Sequence, residues 1–445
     1  MPSQGTIGDR VRGLRLSRRM SQAQLAGPDL SDSYVSLIES GKRTPTPVVA
    51  RLLAERLGCT TEFLLHGIEP RQRIDTELGL RHAELELHHG DPAMAADRFG
   101  DIAKAAGEDN AMLAAHARLG RARALEAQGR IGRAVEAYER LRREAVAHPE
   151  RLADLPLTVA LCRCYHRAGD ILRARDLGAA ALAQVERIDI SQGELATDLA
   201  SSLVEAETGM PYVERVLEGM GRPSAIDRSA EILALWQASV TAAEGEDSAL
   251  AVQLAEDAIA AGRAGRMALR FGRIAMHWSR INAATPELMD LDRANDRASA
   301  AVEIFAVFPS EVSDYARSLT ILSLVHLRSG KLDSAGDLAD HAIELLGPAA
   351  GPTPASAHLL RAQISLARAE NATGSLHRAT ELLDRGAIDR DAARAWRELG
   401  DLWGRAGVRE EQAKAYRRAL EAVGIHANMP GATVSTATLS HGGTV

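Results

Sequence analysis

The stretch SQAQLAGPDLSDSYVSLIESGKR, residues 21–43, decides the fold of the N-terminal part of the chain. It predicts two short helices, because Ser21 and Ser31 are each suited to cap a helix in which apolar residues then recur at helical spacing. Gly27–Asp29 separates the two helices, since glycine permits a positive φ and proline cannot continue a helix. Gly41 stands where a left-handed residue ends the second helix.

The second of these helices has an apolar side and a polar side. Val35 and Ile38 are spaced to face a core, which leaves an outer row of Asp32, Ser33, Tyr34, Ser36 and Leu37. A polar row at the exposed N-terminal end of a second helix is what proteins place in the major groove of DNA. The stretch therefore indicates a DNA-reading element.

The flanking sequence predicts three more helices. A first helix is expected from Ile7 to Met20, with a buried stripe of Ile7, Val11 and Leu14. A fourth is expected over residues 48–57 and ends at Gly58, and a short fifth contains residues 63–65. Together these segments predict a five-helix domain over residues 1–68, with its boundary near residues 67–70.

Residues 1–68 resemble the phage-repressor type of helix-turn-helix domain. The resemblance lies in Ser21-Gln22 followed by Leu25-Ala26, the run from Ser31 to Ile38, and then Glu39-Ser40-Gly41-Lys42-Arg43. It implies that an arginine in the first helix, here Arg15, pairs with Glu39 in a structural role. It also implies that Gln22 and the start of the second helix touch bases or nearby phosphates. The candidate DNA-binding residues are Gln22, Ser31, Asp32, Ser33, Tyr34, Ser36, Lys42 and Arg43.

Asp32 departs from the pattern of that family, in which an amide that reads bases is usual at this position. An acidic side chain repels phosphate, so two roles stay open. Asp32 either accepts a hydrogen bond from cytosine or orients the neighbouring side chains.

The composition limits the class of protein. With 445 residues and 46% hydrophobic content, the chain is long enough for two or more domains and is not disordered as a whole. No run of 18 apolar residues occurs and the first ten residues lack an apolar signal core, so we expect a cytoplasmic protein without membrane contact. Almost all basic residues are arginine, which suggests a bacterial source.

Charge is divided unevenly along the chain. Residues 1–70 carry nine basic and seven acidic side chains, a balance of +2, whereas the remainder carries −9. Only the first segment therefore has a charge suited to phosphate. The three cysteines, Cys59, Cys162 and Cys164, form neither a disulfide framework nor a zinc set, so no metal is expected.

From residue 71 to about 424 the sequence has helical periodicity throughout and a repeated pattern. A turn residue is followed about five positions on by a small residue, and four positions later by a second residue that is often large. The clearest copies are Gly90, Ala95 and Phe99; Gly129, Ala134 and Tyr138; Gly169, Ala174 and Gly178; Gly330, Ala335 and Ala339; and Gly374, Ala379 and Leu383. Looser copies surround Gly209, Gly245 and Thr285.

The copy at Trp396, Leu399, Gly400, Trp403, Gly407, Tyr416 and Ala419 has the spacing of a tetratricopeptide repeat. The segment resembles that family, whose unit is about 34 residues and two antiparallel helices. Most spacings here are 39 or 40 residues, which indicates longer helices. The expectation is an all-α chain with about nine helix pairs over residues 71–424, wound into a right-handed solenoid, and a flexible tail over residues 425–445.

In that family the first helix of each repeat lines a concave binding face. Extending the spacing of the last repeat backwards places on this face Arg123, Arg163, His166, Ser279, Asn282, Arg368 and Asn371. Arginine can hold a carboxylate in a fork and asparagine can pair with a peptide backbone, so the row suits an anionic or peptidic ligand. The alternative is that each is an ordinary solvated side chain. Trp236 and Trp278 are interpreted as packing residues, and the adjacent His88 and His89 as a solvated helix end.

The combination of the two parts resembles peptide-responsive bacterial regulators. It implies a homodimeric transcriptional regulator that binds double-stranded DNA and whose solenoid senses a peptide or small-molecule effector. The alternative is an adaptor whose groove docks a protein partner. No arrangement of nucleophile, base and orienting group and no phosphate loop is present, so neither an enzyme nor a cofactor is expected.

Overall fold

The computed structural model describes residues 6–66, 70–106, 110–285 and 290–425, and within these ranges every regular element is helical. The helices are α1 (Ile7–Ser17), α2 (Gln22–Ala26), α3 (Asp32–Glu39), α4 (Pro47–Arg56), α5 (Thr61–His66), α6 (Pro70–His89), α7 (Pro92–Ala106), α8 (Ala111–Ala127), α9 (Ile131–Ala147), α10 (Asp154–Ala168), α11 (Ile171–Arg187), α12 (Gly193–Glu205), α13 (Met210–Met220), α14 (Ser229–Glu244), α15 (Ser248–Ala284), α16 (Leu291–Val307), α17 (Val312–Arg328), α18 (Leu332–Leu346), α19 (Pro352–Ala367), α20 (Thr373–Asp384), α21 (Arg390–Arg405) and α22 (Arg409–Ala422). A short 3-10 helix, Pro309–Glu311, precedes α17. The predicted all-α fold is confirmed.

The chain divides into two compact units, residues 1–270 and 271–445. The division falls inside α15, and each unit is described here by itself. The predicted boundary at residues 67–69 and the tail from residue 426 lie outside the described residues. The division of the chain into domains and the handedness of the solenoid stay predictions.

Helices α1 to α5 pack around one apolar core. It consists of Val11, Leu25, Ala26, Val35, Ile38, Leu53, Ala54, Leu57 and Leu64. The predicted caps are present: the Ser21 hydroxyl accepts the backbone N–H of Gln24 at 3.1 Å, and the Ser31 hydroxyl accepts that of Tyr34 at 3.2 Å. Gly41 has φ +71°, the left-handed conformation that its position requires.

The first helix is shorter than the periodicity predicted. It ends at Ser17 instead of Met20, because Arg19 adopts φ +55° and turns the chain toward α2. At the other end, Thr6 and Asp9 form a capping box that fixes the start of the helix.

Beyond α5 the helices pair as antiparallel hairpins. The small residues of the predicted pattern, Ala95, Ala134, Ala174, Ala335 and Ala379, are all fully buried. The positions four residues later are buried as well; they are Phe99, Tyr138, Gly178, Ala339 and Leu383. The repeat pattern therefore marks the contact between the two helices of a hairpin.

A hydrogen bond recurs across these contacts. In three hairpins a fully buried serine hydroxyl on the first helix donates to an alanine carbonyl on the second, at 2.6 Å from Ser239 to Ala251 and 2.7 Å from Ser323 to Ala335. The third is Ser279, which reaches the carbonyl of Ala294 at 3.0 Å. A bond this short across two helices is possible only where both residues are small.

Helix α15 differs from the other repeat helices because it runs unbroken for 37 residues. Its first part pairs with α14 through the Ser239 bond, and its last part pairs with α16 through Ser279. One helix thus serves two successive hairpins.

Within residues 6–270, α6 contacts α14 and α15 as well as its own hairpin partner α7. Leu78 and Leu85 share an apolar cluster with Ile232 and Ala255. His82 Nε2 lies 2.9 Å from the Ser239 hydroxyl, so residues more than 150 positions apart in sequence meet. Nothing in the repeat pattern predicts this contact between the first hairpin and the fifth.

Among the described residues, no helix is both long and apolar enough to cross a membrane.

The close contact between α7 and α8 gives a matched test. A Cβ on Gly120 would lie 2.4 Å from the Phe99 ring, whereas a Cβ on Gly132 in α9 would meet nothing within 4 Å. Gly132→Ala should stabilise its helix by up to about 1 kcal/mol. Gly120→Ala should destabilise α7 and α8 by about 1–3 kcal/mol, because the ring must move. Hydrogen exchange over α7 to α9 measures both changes, and equal protection in the two variants would contradict the packing described.

Candidate nucleic-acid interface and effector site

The outer row of α3 is largely solvent-exposed. Ser31, Asp32, Ser33 and Ser36 are exposed along it, and the Ser31 hydroxyl is engaged as the helix cap. The Asp32 carboxylate accepts the backbone N–H of Ser33 at 2.9 Å, which holds it at the first turn. The local bond is compatible with the orienting role considered above for Asp32.

Tyr34 differs from its prediction. It was expected on the outer face, but its ring is half-buried and packs against the core of α1 to α5. The guanidinium of Arg43 lies 4.8 Å from the ring centroid, a cation–π contact. Tyr34 therefore positions Arg43 and supports the core.

The predicted pair of Arg15 and Glu39 is present and buried. The guanidinium donates to both carboxylate oxygens, at 2.6 and 2.9 Å. Burial by itself would raise the pKa of Glu39, but hydrogen bonds from Arg15 and Gln22 outweigh it and hold that pKa below its ordinary value.

Gln22 is the third member of this network. Its amide nitrogen donates to Glu39 Oε2 at 2.8 Å. The sequence placed Gln22 against bases or phosphate, whereas in the structure its amide N–H is turned toward Glu39. Its first effect is thus to join the start of α2 to the end of α3.

The turn between α2 and α3 is held by a residue that the sequence analysis missed. The guanidinium of Arg56, at the end of α4, donates to the carbonyl of Leu25 at 3.1 Å and also contacts the carbonyl of Ala26 and the Asp29 carboxylate. A basic residue in the last turn of a helix was the only signal, and it usually indicates a helix-dipole contact. Lys42 and Arg43 are exposed just beyond α3.

Three of the predicted effector residues lie in the first unit. Arg123 on α8 is exposed. Arg163 on α10 forms a two-point ion pair with the buried Glu126, one arm measuring 2.9 Å. His166 has its Nδ1 3.5 Å from a carboxylate oxygen of Glu205. Arg163 therefore has its donors engaged within the protein.

The other four lie in the second unit, and the structure buries two of them. Ser279 is fully buried and is one of the hairpin serines, and Asn282, only 4% exposed, faces the carbonyl of Trp278 on its own helix. Asn371 caps the loop before α20, where its carbonyl oxygen accepts the backbone N–H of Thr373 at 2.9 Å. Arg368 is partly exposed and binds Asp333 at 2.7 Å.

The two buried positions, Ser279 and Asn282, both lie on α15. Helix α15 does not break between hairpins, so the phase of its side chains differs from that of the last repeat. Of the tryptophans, Trp278 is buried as a packing residue, with the guanidinium of Arg297 4.1 Å from its ring centroid.

The Arg15–Glu39 pair gives a pH-dependent prediction. Arg15→Met or Glu39→Leu alone should destabilise α1 to α5 by about 3–5 kcal/mol, because each leaves one buried charge unpaired, and the double variant should lose less than the sum. The folded pKa of Glu39 is lowered, so the stabilisation is present at neutral pH and is lost as the pH falls through that folded pKa. Hydrogen exchange over residues 7–66 measures the stability of the two single variants and of the double variant. If the stability losses of the single variants simply add up in the double variant, the two residues are not coupled.

Comparison with known proteins gives one match to a family model and several to solved structures. The model described as helix-turn-helix matches residues 11–64. The apo form of RapI is similar at a TM-score of 0.45 and 14% identity, covering 94% of this chain and 97% of that one. PlcR of Bacillus thuringiensis, solved with a peptide and DNA, gives a TM-score of 0.35 and 13% identity over 70% and 98%. The competence regulator ComR of Streptococcus vestibularis gives 0.33 and 13% over 82% and 98%.

A search among curated proteins gave no match. The match of residues 11–64 coincides with the structure, since the matched segment runs from within α1 to within α5 and contains α2, the turn and α3. Residues 11–64 are therefore a helix-turn-helix domain.

Proposed function

We propose that this protein is a sequence-specific DNA-binding transcriptional regulator whose helical array senses a peptide or small-molecule effector. The observation that carries the proposal is the exposed row of Asp32, Ser33 and Ser36 at the N-terminal end of α3, inside a helix-turn-helix domain. A helix presented in this way fits the major groove, where short polar side chains reach base edges.

The charge around α3 supports contact with DNA phosphates. Lys42 and Arg43 are exposed just past the end of α3, and Arg43 is held in place by the ring of Tyr34. Ordering an arginine before binding reduces the conformational entropy lost when it grips a phosphate. Residues 1–70 carry the only positive balance when the chain is divided there.

Binding by one domain supplies few base contacts, so we propose a homodimer. Two copies related by a twofold axis would present two α3 helices to successive major grooves. An effector bound by the array would then act by favouring one arrangement of the dimer over another, a population shift. A protein partner in place of a small effector is the alternative outcome, and native mass spectrometry of the purified chain separates the two.

We expect Ser33→Ala/Ser36→Ala to remove base reading without unfolding the domain, because both side chains are exposed and neither caps α3. Sequences selected from a random DNA pool by the full chain supply the test site. The preference for that site over unrelated DNA should fall by at least about tenfold, since each good base contact discriminates by about 1–3 kcal/mol.

Two controls define that result. Ser17→Ala changes an exposed serine at the end of α1 and should leave binding unaltered. Lys42→Ala should weaken binding to all sequences alike and reduce the salt dependence by about one phosphate contact. Full sequence preference in the double serine variant would refute the reading role of α3.

The dimer gives a geometric expectation. The selected DNA should contain two inverted half-sites with centres about 34–36 Å apart, or a multiple of one helical turn, and sedimentation should give two chains per DNA duplex. A single half-site bound by one chain would show that the protein acts as a monomer.

A further inference from the structure

Side chains from four helices converge inside the first unit. His88 and His89 end α6, Arg123 lies on α8, and Arg266 and Arg270 lie on α15. The fourth helix, α12, contributes an aspartate described below. A Cβ built on Gly262 of α15 would lie 2.6 Å from Arg266 Nη1 and 3.0 Å from His89 Nε2, so these two groups meet over a residue that has no side chain. The contact of α6 with α15 across the unit creates this convergence.

The histidines show how crowded and how cationic this place is. Loss of hydration among the surrounding helices, followed by the nearby guanidinium groups of Arg266, Arg123 and Arg270, lowers the pKa of His88 to about 3. Loss of hydration, followed by the nearby charge of Arg266, also lowers the pKa of His89. Both rings nevertheless keep an exposed edge, so solvent reaches them. Both residues are thus exposed at the end of α6, as the sequence predicted, and they lie beside Arg266.

The arginines of the cluster have donors that no protein acceptor uses. Arg270 Nη2 lies 3.4 Å from a carboxylate oxygen of Asp198 on α12, but its Nη1 is buried without a hydrogen-bond partner among the described residues. Arg266 donates to the carbonyl of Ile259 at 3.2 Å. Within residues 6–270 as described, neither Arg266 nor Arg123 has a carboxylate within 4 Å.

The acidic groups near the cluster do not saturate it. Burial lowers the pKa of Arg266; Glu194 and Glu84 oppose this only at longer range, and the charges of Arg270 and Arg263 lower the pKa further. The buried Arg270 Nη1 without an acceptor costs free energy. An oxyanion placed beside it would supply that acceptor.

We propose that Arg266 and Arg270, one turn apart on α15, form a binding site for an oxyanion, a carboxylate or phosphate group carried by the effector. The inference rests on the proposed function, since it assigns the chemistry of the effector that the array senses. A guanidinium matches either anion through two parallel N–H···O bonds. Because Arg266 meets His89 of α6 and Arg270 pairs with Asp198 of α12, a bound anion links parts of the unit that are distant in sequence.

Calorimetric titration of the full chain at constant ionic strength tests the site with two probes. Pyrophosphate represents a phosphate source and citrate a carboxylate source, and the tighter of the two identifies the source. We expect saturable binding of at least one, reduced tenfold or more in Arg266→Gln and in Arg270→Gln. Arg175→Gln is the matched control, because Arg175 is an exposed arginine on α11 of the same unit. The Arg175→Gln variant should bind the probe with the affinity of the wild type.

Thermal unfolding distinguishes a binding role from a structural one. Without either probe, Arg266→Gln should melt at or above the temperature of the wild type, since a repelled charge is removed. Saturating probe should raise the melting temperature of the wild type and leave that of the variant unchanged. A lower melting temperature for Arg266→Gln in probe-free buffer would assign the residue a structural role and overturn the proposal.

Three further results would overturn it: no saturable binding of either probe, unchanged affinity in both variants, or an equal loss in Arg175→Gln. Affinity for selected DNA in probe-free buffer separates this outcome from the proposed function. If DNA binding persists while probe binding fails, only the anion site is wrong. If probe binding holds but no DNA is bound, the site stands and the regulator assignment fails.

Discussion

The close approach of two helices at small residues is the constraint on which the array depends. Where Ser239, Ser279 and Ser323 reach the alanine carbonyls of the neighbouring helix, both partners must be small enough for the backbones to come within hydrogen-bond distance. The bond satisfies a buried hydroxyl that would otherwise cost free energy, and it fixes the two helices at one height. A chain with only 3% aromatic residues can therefore build its core from many alanine contacts. The larger side chains, such as Tyr138, fill the space that remains.

Local features of this structure could be predicted from sequence because they depend on local chemistry. Helical periodicity, the serine caps and Gly41 gave the ends of α2 and α3, and the repeat pattern identified the buried face of each hairpin. The contact of α6 with α15 could not be predicted, because it joins the first hairpin to the fifth and leaves no signal in the local sequence. The groove positions failed where α15 runs through a site at which the pattern implied a break. Ser279 was assigned to a groove because a hairpin serine and a groove serine look alike in sequence.

In the helix-turn-helix domain a buried polar network lies behind the exposed face of α3. Arg15, Glu39 and Gln22 connect α1, the end of α3 and the start of α2. Replacing such a network by apolar residues is often neutral for stability, so its value lies in fixing geometry. Here it joins the start of α2 to the end of α3, and Arg56 donates to the carbonyl of Leu25 at the turn between them. The exposed serines of α3 are thus held by a helix whose neighbouring polar side chains are hydrogen-bonded within the domain.

The predicted effector residues differ in whether their hydrogen-bond donors are already engaged within the protein. Arg163 gives its guanidinium to Glu126, and Arg368 gives its own to Asp333 and the carbonyl of Leu332, so both are committed within the protein. Arg270, which the repeat pattern did not single out, keeps a buried Nη1 that has no acceptor among the described residues. Buried donors in native proteins are almost always paired, so a guanidinium nitrogen that is left without an acceptor keeps its capacity to bind another molecule. Saturation of donors, more than position on a helix, therefore distinguishes an arginine that holds the array together from one able to bind an anion.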